Sequence, residues 1–307
     1  MKKKDKKARI LRSIPIYLMM LPGLIYLFCN NYMPMFGIVI AFKKINWQKG
    51  IWGSEWAGLK NFEFLFKSKD TFTMIRNTVL YNAVWIILGT ILSIAVAILL
   101  NEIANKFSKK IYQSIILLPY LMSMVVVSYL VYAVLSNETG FLNNSILPRL
   151  GLQPINWYQE KAYWPVILTI VNLWKGIGFS MVIYYSSIVG ISVEYYEAAR
   201  LDGAGKWQQV KLITIPLLVP TIITLFILSV GRIFASDFGL FYQVTKNSGA
   251  LYPTTQTIDT YVYNALMKLG NMSMSSAASV YQAIIGFILV MITNAIVRKY
   301  SKENAFF

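Results

Sequence analysis

Apolar residues in this chain gather in long runs parted by short polar stretches, with no sustained alternation of apolar and polar positions. The runs reach or approach the ~20 residues that a helix needs to cross the hydrocarbon core of a bilayer. They cover residues 14–40, 78–100, 111–135, 164–191, 215–234 and 278–297. This pattern predicts an all-α, polytopic membrane protein with six transmembrane helices. Pro22, Asn30, Asn31 and Pro34 interrupt the first run, and Pro119 lies in the third. Each proline frees a carbonyl that neighbouring helices can satisfy, so kinks rather than breaks are expected at these points.

Composition agrees with a bilayer as solvent: 56% of the 307 residues are hydrophobic, above the 45–50% or so of a soluble domain. The net charge of +16 would suit nucleic-acid binding in a soluble protein, but many of the cations flank apolar runs, where insertion accumulates them on the cytoplasmic side. No nucleic-acid partner is therefore expected. An even number of spans puts both termini on one side. The cluster Lys2-Lys3-Lys4-Asp5-Lys6-Lys7-Ala8-Arg9, the closing Arg298-Lys299-Tyr300-Ser301-Lys302, and Lys106, Lys109 and Lys110 all argue that this side is cytoplasmic. The first run is too long for the apolar region of a signal peptide and reads as a retained span.

One segment opposes the rule. Between the first two spans stand Lys43, Lys44, Lys49, Lys60, Lys67, Lys69 and Arg76, on the side expected to be poorer in positive charge. Trp47, Trp52, Trp56, Phe62, Phe64 and Phe66 share that loop, as an aromatic belt at the membrane surface or, alternatively, as faces for sugar stacking. Cys29 is the one cysteine and there is no histidine. Internal disulfides, Ser-His-Asp and Cys-His catalysis, His-ligated metal and imidazole relays are thereby excluded.

Between the fourth and fifth spans runs Ser192-Val193-Glu194-Tyr195-Tyr196-Glu197-Ala198-Ala199-Arg200-Leu201-Asp202-Gly203-Ala204-Gly205, leading to Ile213-Thr214-Ile215-Pro216. Ser192 can cap a helix whose first turn carries Glu194. Helix formers continue to Asp202, and Gly203 with Gly205 permits a sharp turn. A second short helix is expected from about Lys206, ending against Ile215-Pro216. The result is a compact helix-turn-helix on the cytoplasmic face, suited to docking on a soluble partner.

This stretch resembles the permease signature of binding-protein-dependent ABC importers: Glu-Ala-Ala, three residues, Gly, nine residues, Ile, one residue, Leu-Pro. Glu197, Ala198, Ala199, Gly203, Ile213 and Pro216 fall on that spacing, with Ile215 in place of the usual Leu. Arg76-Asn77-Thr78, Leu117-Leu118-Pro119 and Ile258-Asp259-Thr260-Tyr261-Val262-Tyr263 extend the likeness over nearly the whole chain, to the oligosaccharide branch of that class. Lipo-oligosaccharide, alginate and rhamnogalacturonan systems are the most similar in it.

The resemblance implies the six-span fold of type I importer permeases, in a bacterial cytoplasmic membrane. The organisation it implies is a basic amino terminus (1–13), a first span with external loop (14–76), a core domain (77–298, coupling loop 192–216) and a cytoplasmic tail (299–307). It also implies the partners: a second, homologous permease, an ATP-binding cassette ATPase dimer, an extracytoplasmic solute-binding lipoprotein and an oligosaccharide. Glu197, Ala198, Ala199, Asp202, Gly203, Ile213 and Pro216 would couple to the ATPase. The chain would need no cofactor of its own, since ATP and Mg²⁺ would bind the partner. In keeping with that, there is no Gly-x-x-x-x-Gly-Lys-Ser/Thr phosphate loop, and Gly203-Ala204-Gly205-Lys206-Trp207 lacks its spacing and hydroxyl.

Lys175 in the fourth span and Arg232 near the outer end of the fifth are intramembrane cations. Facing lipid they would cost roughly 2.5–3.5 kcal/mol each, so they should face a cavity or a partner. Asn172, Trp174 and Lys175, like Arg232 and Asp237, offer the side-chain types that bond and stack against sugars. The structural alternative pairs Lys175 or Arg232 with Asp237 or with a second permease. It is evenly matched for Lys175 and favoured for Arg232, and Tyr184 and Tyr185 read as bundle packing. An ion-coupled secondary transporter would carry buried acids as coupling sites, and the spans hold almost none. An intramembrane enzyme would need a clustered acid, base or metal set, whereas the acidic residues are scattered over loops.

Overall fold

A computed structural model describes residues 2–67 and 69–300. Two compact units divide the chain, residues 1–64 with 265–280 and residues 65–264 with 281–307.

In the first unit, helix α1 (Lys2–Leu27) continues through a π-helical turn (Phe28–Tyr32) and a 3₁₀ stretch (Met33–Phe42). The π turn takes up Asn30, whose amide donates to the Tyr26 carbonyl at 2.9 Å. The 3₁₀ stretch opens on Pro34, so these residues change the helix type without stopping it. Beyond it, β1 (Lys43–Lys44) pairs antiparallel with β2 (Glu55–Trp56). Lys43 is buried under this hairpin, its ammonium donating to the Ile51 and Trp52 carbonyls and lying 5.2 Å from the Trp56 ring. Trp47, Trp52 and Trp56 remain largely exposed.

The second unit holds α2 (Lys69–Glu102), α3 (Lys106–Leu121), α4 (Met124–Leu135), α5 (Trp164–Val189), α6 (Val193–Leu201), α7 (Lys206–Gln209) and α8 (Ile215–Gly231). Two further helices follow, α9 (Ile258–Leu269) and α10 (Met272–Tyr300). Among the described residues, five helical stretches are long and apolar enough to span a bilayer. The α3–α4 pair makes a sixth span if taken together. Large apolar side chains stay exposed along these helices, as a lipid solvent allows. The cores are two apolar clusters, one around Trp85, Trp164, Leu168 and Phe241, the other around Ala97, Met181, Tyr184 and Leu218.

Three expectations need correction. First, the third span breaks instead of kinking: α3 and α4 meet at 96° across Met122–Ser123. Pro119 removes one helical hydrogen bond near the end of α3, and Ser123 starts a new helix by accepting the Val126 N–H on its Oγ. Lys175 of α5 donates to the Pro119, Tyr120 and Met122 carbonyls at 3.4, 2.8 and 2.8 Å. A cation thus adds a donor to carbonyls at the end of α3, of which that of Pro119 also accepts the Met122 N–H. Second, the helix from Lys206 does not end at Ile215-Pro216. It passes through a π-helical turn (Val210–Thr214) into α8, forming one stretch from Lys206 to Gly231. The wider turn accommodates the missing N–H and the ring of Pro216. Third, the fifth span stops at Gly231 and not at Phe234, so Arg232 stands past the helix end.

Candidate functional site

The polar loop between α5 and α8 is built as a rigid knob. Ser192 Oγ accepts from the Glu194 N–H at 3.3 Å and starts α6. The helix ends in a Schellman turn: Gly203 N–H donates to the Arg200 carbonyl at 3.0 Å and Ala204 N–H to the Ala199 carbonyl at 2.8 Å. This geometry needs a left-handed residue, and Gly203 supplies it with φ +79°. The Gln208 side chain then accepts from Gly205 N–H at 2.8 Å and starts α7, while buried Gln209 donates to the Ala204 carbonyl. Tyr196 and Thr214 hydroxyls lie 3.0 Å apart, tying α6 to the π turn. Lys206 pairs with Glu102, the last residue of α2, at 2.6 Å.

Of the residues singled out in this loop, Glu197, Ala198, Asp202, Gly203 and Pro216 are exposed, and Ala199 and Ile213 are half-buried. Beside the acidic Glu197 and Asp202, Leu201 and Trp207 are 90% and 75% exposed. Large apolar side chains so uncovered on a polar loop, with charges around them, have the composition of a protein-docking surface.

The second feature is a cavity of about 780 Å³ between α2, α5, α8 and the turn after α8. Asn172, Arg232 and Asp237 line it; Trp174 and Lys175 are not among its lining residues. No ion pair joins Lys175 or Arg232 to Asp237 among the described residues. Asp237 instead accepts the Leu240 N–H on Oδ1 at 3.0 Å.

Several lining residues escaped the reading of the sequence: Asn82, Trp85 and Thr90 from α2, Ser180 from α5, and Ser229 and Ser236 from the far end of α8 and its turn. Their spacing holds the signal. Asn82, Ile86, Gly89 and Thr90 follow i, i+4, i+7, i+8, and Asn172, Phe179, Ser180 and Ile183 follow i, i+7, i+8, i+11. Both sets are faces of apolar helices where polar and small residues recur. Tyr184 is almost wholly buried and belongs to the second apolar cluster as well as to the cavity wall.

The turn after α8 is held from three sides. Asn82 Nδ2 donates to the Ile233 and Ala235 carbonyls at 3.0 and 2.9 Å. Gln282 Nε2 donates to the Phe234 carbonyl at 2.6 Å. Asp259 Oδ2 accepts from the Ser236 N–H at 2.6 Å and from its hydroxyl at 2.7 Å. Residues on α2, α9 and α10 thus fix the short segment that carries Arg232, Ser236 and Asp237. Among the described residues no group of three or more His, Cys, Asp and Glu gathers as a metal site.

The family described as "Binding-protein-dependent transport system inner membrane component" matches residues 89–302. The polygalacturonan/rhamnogalacturonan transport system permease protein YteP of Bacillus subtilis (strain 168) is 35% identical over 308 aligned residues, covering 99% of this chain and 95% of that protein. Protein LplB of the same organism is 30% identical over 299, covering 97% and 93%. Among solved structures, a chain of a bacterial ABC transporter involved in the import of the acidic polysaccharide alginate superposes with a TM-score of 0.86. It is 30% identical, with 97% of this chain and 99% of that one covered. A chain of the bacterial alginate ABC transporter in complex with an alginate pentasaccharide-bound periplasmic protein gives 0.85, also at 30% identity, with 96% and 98% covered.

Proposed function

Since this chain belongs to the binding-protein-dependent transport system inner membrane components, we propose a division of labour among its parts. The chain is a multi-pass membrane protein, the permease subunit of an ABC importer for oligosaccharides, and not itself an enzyme. It works with a second permease, an ATPase and an extracytoplasmic binding protein. In the proposed arrangement both termini and the loop 192–216 are cytoplasmic, and α6 with its Schellman turn docks on the ATPase, which binds ATP and Mg²⁺. The cavity walled by α2, α5 and α8 is the part of the sugar path that this chain contributes.

The observation that carries this reading is the unbroken helical stretch from Lys206 to Gly231. Its 26 residues span about 39 Å. One end lies in the docking knob and the other in the cavity wall. A displacement imposed on the knob is delivered to the turn at Arg232–Asp237 without a flexible joint between.

Gly203→Val tests it. A β-branched residue at φ +79° is strained, so the knob changes shape while no neighbouring atom is crowded. The variant is expected to insert normally and to lose most ATP-driven uptake, with the binding protein still holding sugar. Uptake at the wild-type rate would overturn the coupling role of the loop.

A further inference from the structure

We infer that the β1–β2 hairpin docks on the lipid headgroup layer of the bilayer, with Trp52 and Trp56 as interfacial anchors and Lys43 as the residue that positions them. The inference rests on the chain being a membrane protein and is independent of the proposed sugar path.

The hairpin is fastened to the ends of two spans. Lys43, the first residue of β1, directly follows the apolar helical stretch Ser13–Phe42, and the Ala57 N–H donates back to the Phe42 carbonyl at 2.8 Å. The Ile45 N–H donates at 3.3 Å to the hydroxyl of buried Ser273, in the first turn of α10, which is also long and apolar enough to cross a bilayer. A segment tied to both ends lies where hydrocarbon gives way to headgroups, a layer roughly 5–8 Å deep on each face of the membrane.

Two indole rings stand at that depth. The buried Lys43 ammonium donates to the Ile51 and Trp52 carbonyls at 3.1 and 2.8 Å, and lies 6.0 Å from the Trp52 ring and 5.2 Å from the Trp56 ring. Both rings thus border a cation whose backbone closes the first span, and the attraction between cation and ring holds them there. Lys43, one of the cations that oppose the charge rule in this loop, is thereby an internal positioning group and not a surface charge. The rings are 74% and 70% exposed, and among the described residues neither indole N–H has an acceptor. An aromatic body with a free donor suits the headgroup layer, where the ring meets acyl chains and the N–H meets ester or phosphate oxygens. The patch also continues the lipid-facing surface of the span, since Met35, Phe36 and Ile38 of the 3₁₀ stretch stand exposed just before the hairpin. That continuity favours lipid over a soluble partner.

The test uses the complete importer in nanodiscs and compares it with the Trp52→Phe/Trp56→Phe double variant, so that the difference in fluorescence isolates the two indoles. Phosphatidylcholine brominated near the ester end of its chains reports contact with lipid, and aqueous iodide reports contact with water. The difference emission should lose about half or more of its intensity in the brominated lipid and little to iodide. Lys43→Met, measured against the same double replacement in its own background, should weaken the bromolipid quenching about twofold, and Lys43→Arg should keep it. Unchanged quenching in Lys43→Met would remove its positioning role. Quenching by iodide alone would place the rings in water and overturn the inference. If iodide quenching disappeared when the solute-binding protein was added, that protein would be the occupant instead. Quenching by neither agent would mean that another protein surface covers the rings, which overturns it as well. If the double variant fails to assemble, Trp52→Phe and Trp56→Phe alone give the same subtraction one ring at a time.

Discussion

At the scale of the residue, Lys175 shows how a charge inside a membrane is made tolerable. Its ammonium lies at the end of α3 and donates to three carbonyls, where the helix dipole is negative and helical donors run short. Nearby, Gly178 of α5 lets α3 approach until no Cβ could be fitted against the Ile116 carbonyl. Lys175→Met should remove this donor from the Tyr120 and part-buried Met122 carbonyls, while Pro119 keeps the Met122 N–H, at about 1 kcal/mol, the lower end of the cost of a lost buried partner. The expected result is a lower Tm for the solubilised complex. An unchanged Tm would mean that the clamp contributes nothing to stability. The sequence identified Lys175 as a cation needing a partner, but its acceptors lie 53 to 56 positions away along the chain. Nothing in the periodicity of the fourth span could name them, because main-chain carbonyls carry no residue type.

At the scale of the element, the informative departures occur where helix geometry changes: the 96° break between α3 and α4, and the π turn that fuses α7 to α8. Pro119 and Pro216 marked both places in advance. What a proline does there depends on which neighbours take up the freed groups. Near Pro119, Ser123 and Lys175 cap two separate helices. At Pro216 the ladder shifts register by one residue and continues. The same element carries the Lys206–Glu102 pair, which joins the knob to the end of α2. Exposed pairs are worth about 0.2–1 kcal/mol. Glu102→Lys or Lys206→Glu alone should therefore slow ATP-driven uptake only about two- to fivefold. The double exchange should restore it, which initial-rate measurements would resolve. A double variant as slow as the singles would show that the two residues act independently.

At the scale of the whole molecule, this chain supplies one share of an assembly. The cavity has lining from three helices and a turn, and Leu201 and Trp207 stand exposed on the loop between α5 and α8. Gentle solubilisation with capture through a carboxyl-terminal tag should recover a second permease together with a phosphate-loop ATPase. Recovery of this chain alone, still transporting after reconstitution without ATP, would contradict the partnership. Run length and hydropathy were enough to establish the all-helical membrane class and the approximate place of five spans, because a bilayer demands continuous apolar helices whatever their neighbours. The spacing from Glu197 to Pro216 was likewise enough to mark the knob, since its caps and its left-handed glycine are local bonds within a few residues. The cavity is different. Asn82 was one polar residue in an apolar run, and Asp259 one acid ahead of the last span. Only the packing of α2, α9 and α10 around the end of α8 brings their bonds onto a single turn. Contacts over such separations depend on tertiary packing, and local propensity and periodicity hold no record of them.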